Sequence, residues 1–176
     1  GTAWSARRKS SSTMALGRPN LPATAASTTR SPPLRLSPSA SVSEIHCYHP
    51  QPYYDPAEVS KRLITPEFLL LVRRALAPGG SFFLQTDHPS YWRYMCQIVP
   101  VFFDLDQRPS CWPDAPKGRT RREIIALRRG LPVFRGVARP KRGLEETEAL
   151  ALAQSLPLPT FDADRRLQEL DALEGE

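Results

Sequence analysis

Residues 73–87, RRALAPGGSFFLQTD, join the end of a predicted helix to a Pro-Gly-Gly turn and a short apolar strand. The helix is predicted to begin at Thr65-Pro66-Glu67, where a hydroxyl N-cap, a proline at the first helical position and an acid in the first turn coincide. Pro78-Gly79-Gly80 is expected to end it. The strand that follows is apolar on both faces, which is typical of a central parallel strand covered by helices. The stretch therefore predicts one helix–strand unit of an α/β sheet.

Similar patterns continue on both sides of this unit. A short buried strand is predicted at residues 43–50, followed by a Pro- and Tyr-bearing loop at 51–64. Downstream, residues 89–99 predict a crossover helix, and 101–106 and 131–140 predict two further strands. This alternation of strand and helix indicates a doubly wound α/β sheet.

Three regions differ in composition along the 176 residues. Residues 1–43 contain six basic residues, no acid and no periodic apolar pattern, which predicts a disordered Ser/Pro/Arg-rich segment, with an organelle transit peptide as the alternative. Residues 44–140 are balanced in charge and predict the α/β domain. Residues 141–176 predict a charged helical extension, with helices at 144–156 and 163–173. The chain length suffices for one modest core.

Several classes of protein are disfavoured by the composition. The strongest apolar run, Phe68 to Val72, is far shorter than the roughly 18–20 residues of a membrane span, so the chain is expected to be soluble. Its three cysteines are odd in number and widely spaced, which fits a reducing, cytoplasmic setting better than a disulfide framework. The stretch from His46 to His49 lacks a second cluster that would complete four ligands, so no metal is expected.

Two polar residues are expected where ligands bind in open α/β sheets, beyond the carboxyl ends of the strands. Gln51 follows the first predicted strand, and Asp87 follows the strand of the opening stretch. The alternative for Asp87 is structural, because Thr86-Asp87 could instead cap a helix that enters at His88-Pro89.

A basic stretch follows the third predicted strand and is a candidate RNA surface. Its members are Lys117, Arg119, Arg121, Arg122, Arg128 and Arg129, extended by Arg135, Arg139, Lys141 and Arg142. A solvated arginine-rich helix and loop is the alternative. Four aromatic residues could stack on an extruded base or could simply be packing residues, namely Tyr53, Tyr54, Tyr91 and Trp92.

Three stretches together resemble a known family: EIHCYHPQPYY at 44–54, KRLITPEFLLLVRRALAPGGSFFLQTD at 61–87 and GRTRREIIALRRGLPVF at 118–134. Over residues 41–140 the chain resembles the tRNA (guanine-N7)-methyltransferases. The resemblance implies a Rossmann-like class I methyltransferase fold, of which these residues form the second half of the doubly wound sheet. It also implies methyl transfer from S-adenosyl-L-methionine to N7 of a variable-loop guanine, with tRNA as the partner.

The resemblance also implies site residues. Gln51 occupies the position of the family's catalytic and cofactor-contacting Asp, because Gln51-Pro52-Tyr53 stands where the family has Asp-Pro-Trp. Of the basic run that follows in the family, Lys61 and Arg62 remain, and Asp55 replaces a substrate-binding Lys. The implied substrate-binding residues are Asp87 and the Thr-x-x-Glu segment of Thr120, Arg121, Arg122 and Glu123.

Methyltransferases of this class also need a glycine-rich turn and an acid in their first half. Residues 1–43 contain only Gly1 and Gly17 and no acid. We therefore expect a chain that carries the second half of the enzyme, with the first half missing or replaced, and that binds S-adenosyl-L-methionine weakly or not at all. Two functions remain open: an N7-guanine methyltransferase or its fragment, and a non-catalytic RNA-binding or partner-binding remnant of the fold.

Overall fold

The computed structural model describes residues 40–163. Two predictions fall outside the described residues. These are the disorder of residues 1–39 and, except for residue 163, the helix at 163–173. Within it the elements are β1 (Val42–Tyr48), a 3-10 helix (Pro56–Lys61), α1 (Pro66–Ala75), β2 (Leu76–Thr86), α2 (Pro89–Phe102), β3 (Phe103–Arg108), α3 (Arg121–Arg128), β4 (Phe134–Pro140) and α4 (Glu146–Ser155). No helix in the described range is long and apolar enough to cross a membrane.

One mixed sheet organises these elements, in the order β1-β2-β4-β3. β1 pairs with β2 in parallel, with Cys47 opposite Leu84, whereas β4 is antiparallel to both β2 and β3. The predicted α/β class is confirmed. β2 is an inner strand as predicted, but it is parallel to a neighbour on one side only. Val42 and Ser43 already belong to β1, although they fall within the segment predicted to be disordered.

The helix of the opening stretch begins as predicted. Thr65 is the N-cap, and its side chain accepts a hydrogen bond from the Phe68 N–H at 3.1 Å. Its predicted end is wrong, because α1 stops at Ala75 and Pro78-Gly79-Gly80 lies inside β2. A glycine is needed there, since a Cβ on Gly80 would lie 2.9 Å from the Ala77 carbonyl oxygen and 3.1 Å from that of Ser43. The 51–64 loop likewise contains a short helix that was not predicted.

The hydrophobic core lies on one face of the sheet. Phe82 and Leu84 of β2 are fully buried there, among side chains of α1 and α2, and Ala149 and Ala153 of α4 close the layer. Because side chains alternate along a strand, Phe83 and Gln85 point to the opposite face. That second face carries the polar groups of the candidate site.

Side chains of α1 and α2 make contacts inside the chain. Arg73 of α1 donates to the Leu144 carbonyl, and Arg74 is ion-paired with Glu146 of α4. The start of α4 therefore packs on the end of α1. Tyr91 and Trp92, considered as a stacking surface for a base, are buried core residues of α2.

Candidate functional site

The site lies at the edge of the sheet where β1 and β2 end. The two strand ends are joined by a hydrogen bond from the His49 N–H to the Gln85 carbonyl, at 2.7 Å. The loop that carries Gln51 leaves β1 at this point, and Asp87 follows β2. Because β4 is antiparallel, its first residues and the preceding α3 reach the same edge. The structure thus brings the predicted Thr120–Glu123 segment to Asp87, through the contacts given below.

The loop after β1 has a strained backbone. His49 and Tyr53 have φ values of 50° and 44°, in the left-handed region that non-glycine residues seldom adopt. Such residues cost on the order of 1–3 kcal/mol each and are concentrated at functional sites. Gln51 lies between them with an exposed side chain. The strain and the exposure mark this loop as part of the site.

Asp87 is 2% exposed and is held by two groups. His49 Nδ1 lies 3.0 Å from Oδ1, and Arg122 Nε lies 3.2 and 3.0 Å from the two carboxylate oxygens. Burial acts to raise the pKa of Asp87, but the hydrogen bond from His49 and the charge of Arg122 outweigh it and hold that pKa below its ordinary value. Asp87 is therefore an ionised carboxylate inside the protein.

Asp87 does not cap α2. The N-cap is His88, whose ring Nδ1 accepts from the Tyr91 N–H at 3.2 Å, and Thr86 Oγ1 accepts from the His88 N–H at 3.1 Å. The helix-cap alternative for Asp87 is therefore wrong, since the capping contacts come from its two neighbours.

Glu123 is the second buried acid, with no exposed surface. Arg135 of β4 donates to Oε1 through Nε at 2.9 Å and Nη2 at 2.5 Å, and Oε2 accepts from the Arg119 N–H at 2.7 Å and from Gln85 Nε2 at 3.0 Å. Burial acts to raise the pKa of Glu123, but these hydrogen bonds, led by that of Arg135, hold it below the ordinary value. Glu123 and Asp87 belong to one buried polar network, because Gln85 also contacts His49.

The hydrogen bonds of Gln85 determine which nitrogen of His49 carries the proton. Trp112 Nε1 donates to Gln85 Oε1 at 2.5 Å, so the amide nitrogen of Gln85 faces His49 Nε2 at 2.9 Å. An amide nitrogen only donates, so His49 Nε2 must be the acceptor. The proton of the neutral ring is then on Nδ1, where it is donated to Asp87. Trp112 thereby determines the tautomer of His49 through Gln85, without a hydrogen bond of its own to the His49 ring.

Thr120 and Glu123 have a local role in α3 as well. Thr120 is the N-cap, and its hydroxyl accepts from the Glu123 N–H at 3.1 Å. A Ser or Thr followed three residues later by Glu is the sequence signature of a capping box, so this role was recognisable from the sequence. Gly118 precedes the helix at φ 112°, and a Cβ there would lie 3.0 Å from the Ile124 side chain. The turn into α3 therefore requires glycine.

The predicted basic surface divides into buried and exposed members. Arg122 and Arg135 are buried in the network, and Arg119 lies over the Trp112 ring at 4.4 Å while donating to Tyr48 and Asp114. These three are not part of an open basic surface, because the two buried acids and the aromatic rings bind their side chains, and the implied contact of Arg122 with substrate stays a prediction. Exposed members of the set are Lys117, Arg121, Arg128, Arg129, Arg139 and Arg142.

Four residues of the site were not predicted. His49, Gln85 and Trp112 complete the network, and Arg62 holds the Gln51 loop by donating to the carbonyls of Pro52 at 2.5 Å and Tyr53 at 3.0 Å. Gln85 had a recognisable signal, because it is a polar residue inside an apolar strand. Across residues 40–163, no group of three or more His, Cys, Asp and Glu side chains could hold a metal ion.

Comparison with known proteins gives a consistent result. A family model described as "Putative methyltransferase" matches residues 32–133, more than half of the 176-residue chain. The tRNA (guanine-N(7)-)-methyltransferase of Paracoccus denitrificans is 37% identical over 95 residues, which cover 53% of this chain and 40% of the relative. The proteins of the same name from an Arthrobacter species and from Ruegeria pomeroyi are 31% and 37% identical, over 64% and 53% of this chain and 39% and 41% of the relatives.

The matched region contains the whole polar network except Arg135, together with the Gln51 loop. The chain spans about two fifths of the length of these curated relatives. The chain belongs to this methyltransferase family.

Proposed function

We propose that the chain contributes the tRNA-facing half of an enzyme that transfers a methyl group from S-adenosyl-L-methionine to N7 of a guanine in tRNA, in a cytoplasmic setting. One observation carries this proposal: the strained Gln51 loop and the Asp87–Glu123 network meet at the carboxyl edge of the sheet. The names of the relatives supply the substrate class.

The chemistry of N7 explains how the described residues can serve although both carboxylates, Asp87 and Glu123, are buried. N7 of guanine carries a free lone pair in the ring plane, so no proton has to be removed before it attacks. When bound, S-adenosyl-L-methionine supplies an electrophilic methyl group on its sulfonium. The protein residues then act mainly by positioning the base in line with that methyl group.

Gln51 is the described residue that we assign to the cofactor side. Its amide is exposed between two strained residues, and it can accept from an amine or donate to a carboxylate. A neutral amide gives weaker hydrogen bonds to a cation than the carboxylate that the family has at this position. One exposed amide also cannot enclose a cofactor, so we propose that the chain alone binds S-adenosyl-L-methionine weakly or not at all.

The substrate side is assigned to Asp87 and to the segment Thr120, Arg121, Arg122 and Glu123. Guanine offers two adjacent donors, N1–H and the exocyclic amine, which one carboxylate can accept together. We propose that one of the two acids contacts this edge while the other keeps α3 in place. Because both acids are ion-paired inside the protein, contact with the base requires the Arg122 or Arg135 side chain to move aside.

The alternative is a non-catalytic RNA-binding or partner-binding remnant. It is favoured by the amide at Gln51 and by the pairing of both acids with arginines of the same chain. In this case Asp87 and Glu123 are structural residues, and the exposed cations of α3 are the part that meets a polyanion.

The experiment uses two proteins. The chain itself is titrated with fluorescently labelled unmodified tRNA, and a chimaera joins the N-terminal portion of the Paracoccus denitrificans relative to Val42 of this chain. The chimaera is incubated with tRNA and S-adenosyl-L-methionine, and N7-methylguanine is measured by mass spectrometry of nucleosides. Asp87→Asn and Glu123→Gln are then made separately in the chimaera.

We expect tRNA binding by the chain and N7-methylguanine from the chimaera, with at least one acid variant that remains folded by circular dichroism losing activity or preference for guanine. Binding without methyl transfer in a folded chimaera favours the remnant. If neither the chain nor the chimaera binds tRNA, the methyltransferase and the RNA-binding remnant are both wrong, and only the partner-binding remnant is left. If both acid variants keep full activity and guanine preference, neither acid contacts the base.

A further inference from the structure

Arg62 is a buried cation whose hydrogen bonds all go to main-chain carbonyls. Arg62 is 3% exposed, and its guanidinium contacts two separate parts of the chain. Nε and Nη2 donate to Pro52 and Tyr53 in the Gln51 loop, at 2.5 and 3.0 Å. Nη1 donates to Pro159 and Phe161 after α4, at 2.6 Å each. One side chain therefore joins the candidate site to a segment almost one hundred residues away.

The segment after α4 is docked by several contacts. Phe161 lies against the Arg62 guanidinium, with 3.9 Å from the carbon of that group to the ring centroid, and it packs against the Tyr91 ring at 4.9 Å. The Tyr94 hydroxyl donates to the Pro157 carbonyl at 2.9 Å. Residues 157–161 are thus bound to the beginning of α2, which itself follows Asp87.

The conformation that Arg62 holds is the strained one. Tyr53, whose carbonyl it binds, has a φ of 44°, and Pro52 is the next residue after Gln51. A loop with a left-handed residue at each end relaxes unless surrounding groups oppose it. Two charge-assisted hydrogen bonds from the buried guanidinium provide that opposition, and its other two hydrogen bonds anchor it to the segment after α4.

We propose that Arg62 and Phe161 are positioning residues for the Gln51 loop, and that residues 157–161 are part of the site rather than an accessory extension. We call this arrangement the Arg62 clasp: Arg62, the carbonyls of Pro52, Tyr53 and Pro159, and Phe161. Its mechanical role stands on the geometry alone, whereas its consequence for tRNA rests on the proposed function.

The planar arrangement of the guanidinium N–H groups allows a specific test of this proposal. Arginine presents its N–H groups in a fixed plane, so it can bind four carbonyls and stack on a ring together, whereas the three N–H groups of lysine share one nitrogen and offer no planar face. Arg62→Lys keeps the charge and most of the volume but cannot make this set of bonds. Phe161→Leu keeps an apolar side chain but removes the ring that covers the guanidinium. Arg93→Lys, at an exposed position of α2, is the matched control.

The first measurement is amide hydrogen exchange on the full chain. We expect exchange of the hydrogen-bonded amides on either side of the loop, at His49 and Glu58, to quicken about tenfold or more in both variants, because charged hydrogen bonds no longer hold the loop between them. Exchange at Ile98 and Val99, buried in α2, should quicken far less than exchange at the loop, although the midpoint of thermal unfolding should fall by several degrees because a buried cation loses hydrogen bonds. A residue that merely stabilised the fold would change exchange throughout.

The second measurement is binding of unmodified tRNA over a range of salt concentrations. A mispositioned loop should weaken binding about threefold to tenfold, while the slope of log Kd against log salt stays unchanged, because the phosphate contacts of α3 remain. Arg93→Lys should resemble the parent in both measurements.

Equal loop exchange in the parent and both variants overturns the clasp, as does loosening of α2 to the same degree. Faster loop exchange with unchanged tRNA affinity overturns the claim that the clasp belongs to the site. If the parent does not bind tRNA, the proposed function fails, and exchange at His49 and Glu58 still decides whether Arg62 positions the loop.

Discussion

Trp112 donates its indole Nε1–H to Oε1 of Gln85, a side chain with no exposed surface. This bond fixes the orientation of the Gln85 amide, so that its nitrogen faces both Glu123 and His49. Trp112, which lies before α3, therefore determines the hydrogen bonds that Gln85 of β2 can make. The two buried acids of the site depend on that orientation for part of their stabilisation.

Trp112→Phe should destabilise the protein by about 1–3 kcal/mol beyond the cost of the smaller ring, because it leaves the Gln85 acceptor buried without a donor. Trp92→Phe is the matched control, since Trp92 is also buried and its ring stacks on Phe134. Urea unfolding monitored by circular dichroism gives both values. Equal losses in the two variants would show that the Trp112 N–H contributes nothing.

Glu123→Gln should destabilise by roughly 3–5 kcal/mol, because the buried Arg135 guanidinium loses its carboxylate. Adding Arg135→Gln should recover part of this loss, giving a coupling energy of about 0.5–3 kcal/mol in a double-mutant cycle. Thr120→Ala, which removes only the cap of α3, should cost about 1 kcal/mol. Additive losses for Glu123 and Arg135 would mean that this pair is not coupled.

The unfolding free energy should fall with acid. The pKa values of Asp87 and Glu123 are lower in the folded protein than in the unfolded chain, so the unfolded state takes up protons first as pH decreases. The stabilisation is complete above about pH 5, where both states are ionised, and is lost progressively as pH falls below about 4. Urea unfolding at a series of pH values tests this. A protein that gained stability between about pH 6 and about pH 4 would contradict both assigned shifts.

Arg128→Ala with Arg129→Ala should reduce the salt dependence of tRNA binding. Both residues are exposed at the end of α3, and the slope of log K against log salt should become shallower by about 0.7–0.9 for each phosphate that is no longer neutralised. Arg93→Ala, exposed on α2, controls for the loss of one positive charge elsewhere. A slope that is the same in the double variant and the parent would remove α3 from the RNA surface.

Arg122→Ala should act differently from these two substitutions. Arg122 is buried against Asp87, so its removal should lower the unfolding free energy by several kcal/mol as the carboxylate loses its partner. Urea midpoints of Arg122→Ala and of the Arg128/Arg129 variant are compared to test whether the basic stretch contains both buried and exposed arginines. Equal stability of the parent and both variants would contradict the buried pair.

Elements whose signals are local were predictable from the sequence. Thr65-Pro66-Glu67 specified the start of α1, because cap, proline and acid act on neighbouring backbone groups. The strand of the opening stretch and the class of sheet followed from its apolar pattern. The end of α1 was missed, because the close approach of β1 to Gly80 depends on a second strand.

The sequence by itself determined the α/β class, the start of α1 and the place of Asp87 at a strand end, since each depends on residues within a few positions. Only the tertiary structure decided which arginines are buried. Arg122, Arg135 and Arg62 resemble the exposed Arg128 in the sequence, but each binds a partner that lies between 9 and 99 residues away. The burial of a charge depends on whether distant acceptors converge on it, and that convergence is a property of the folded chain.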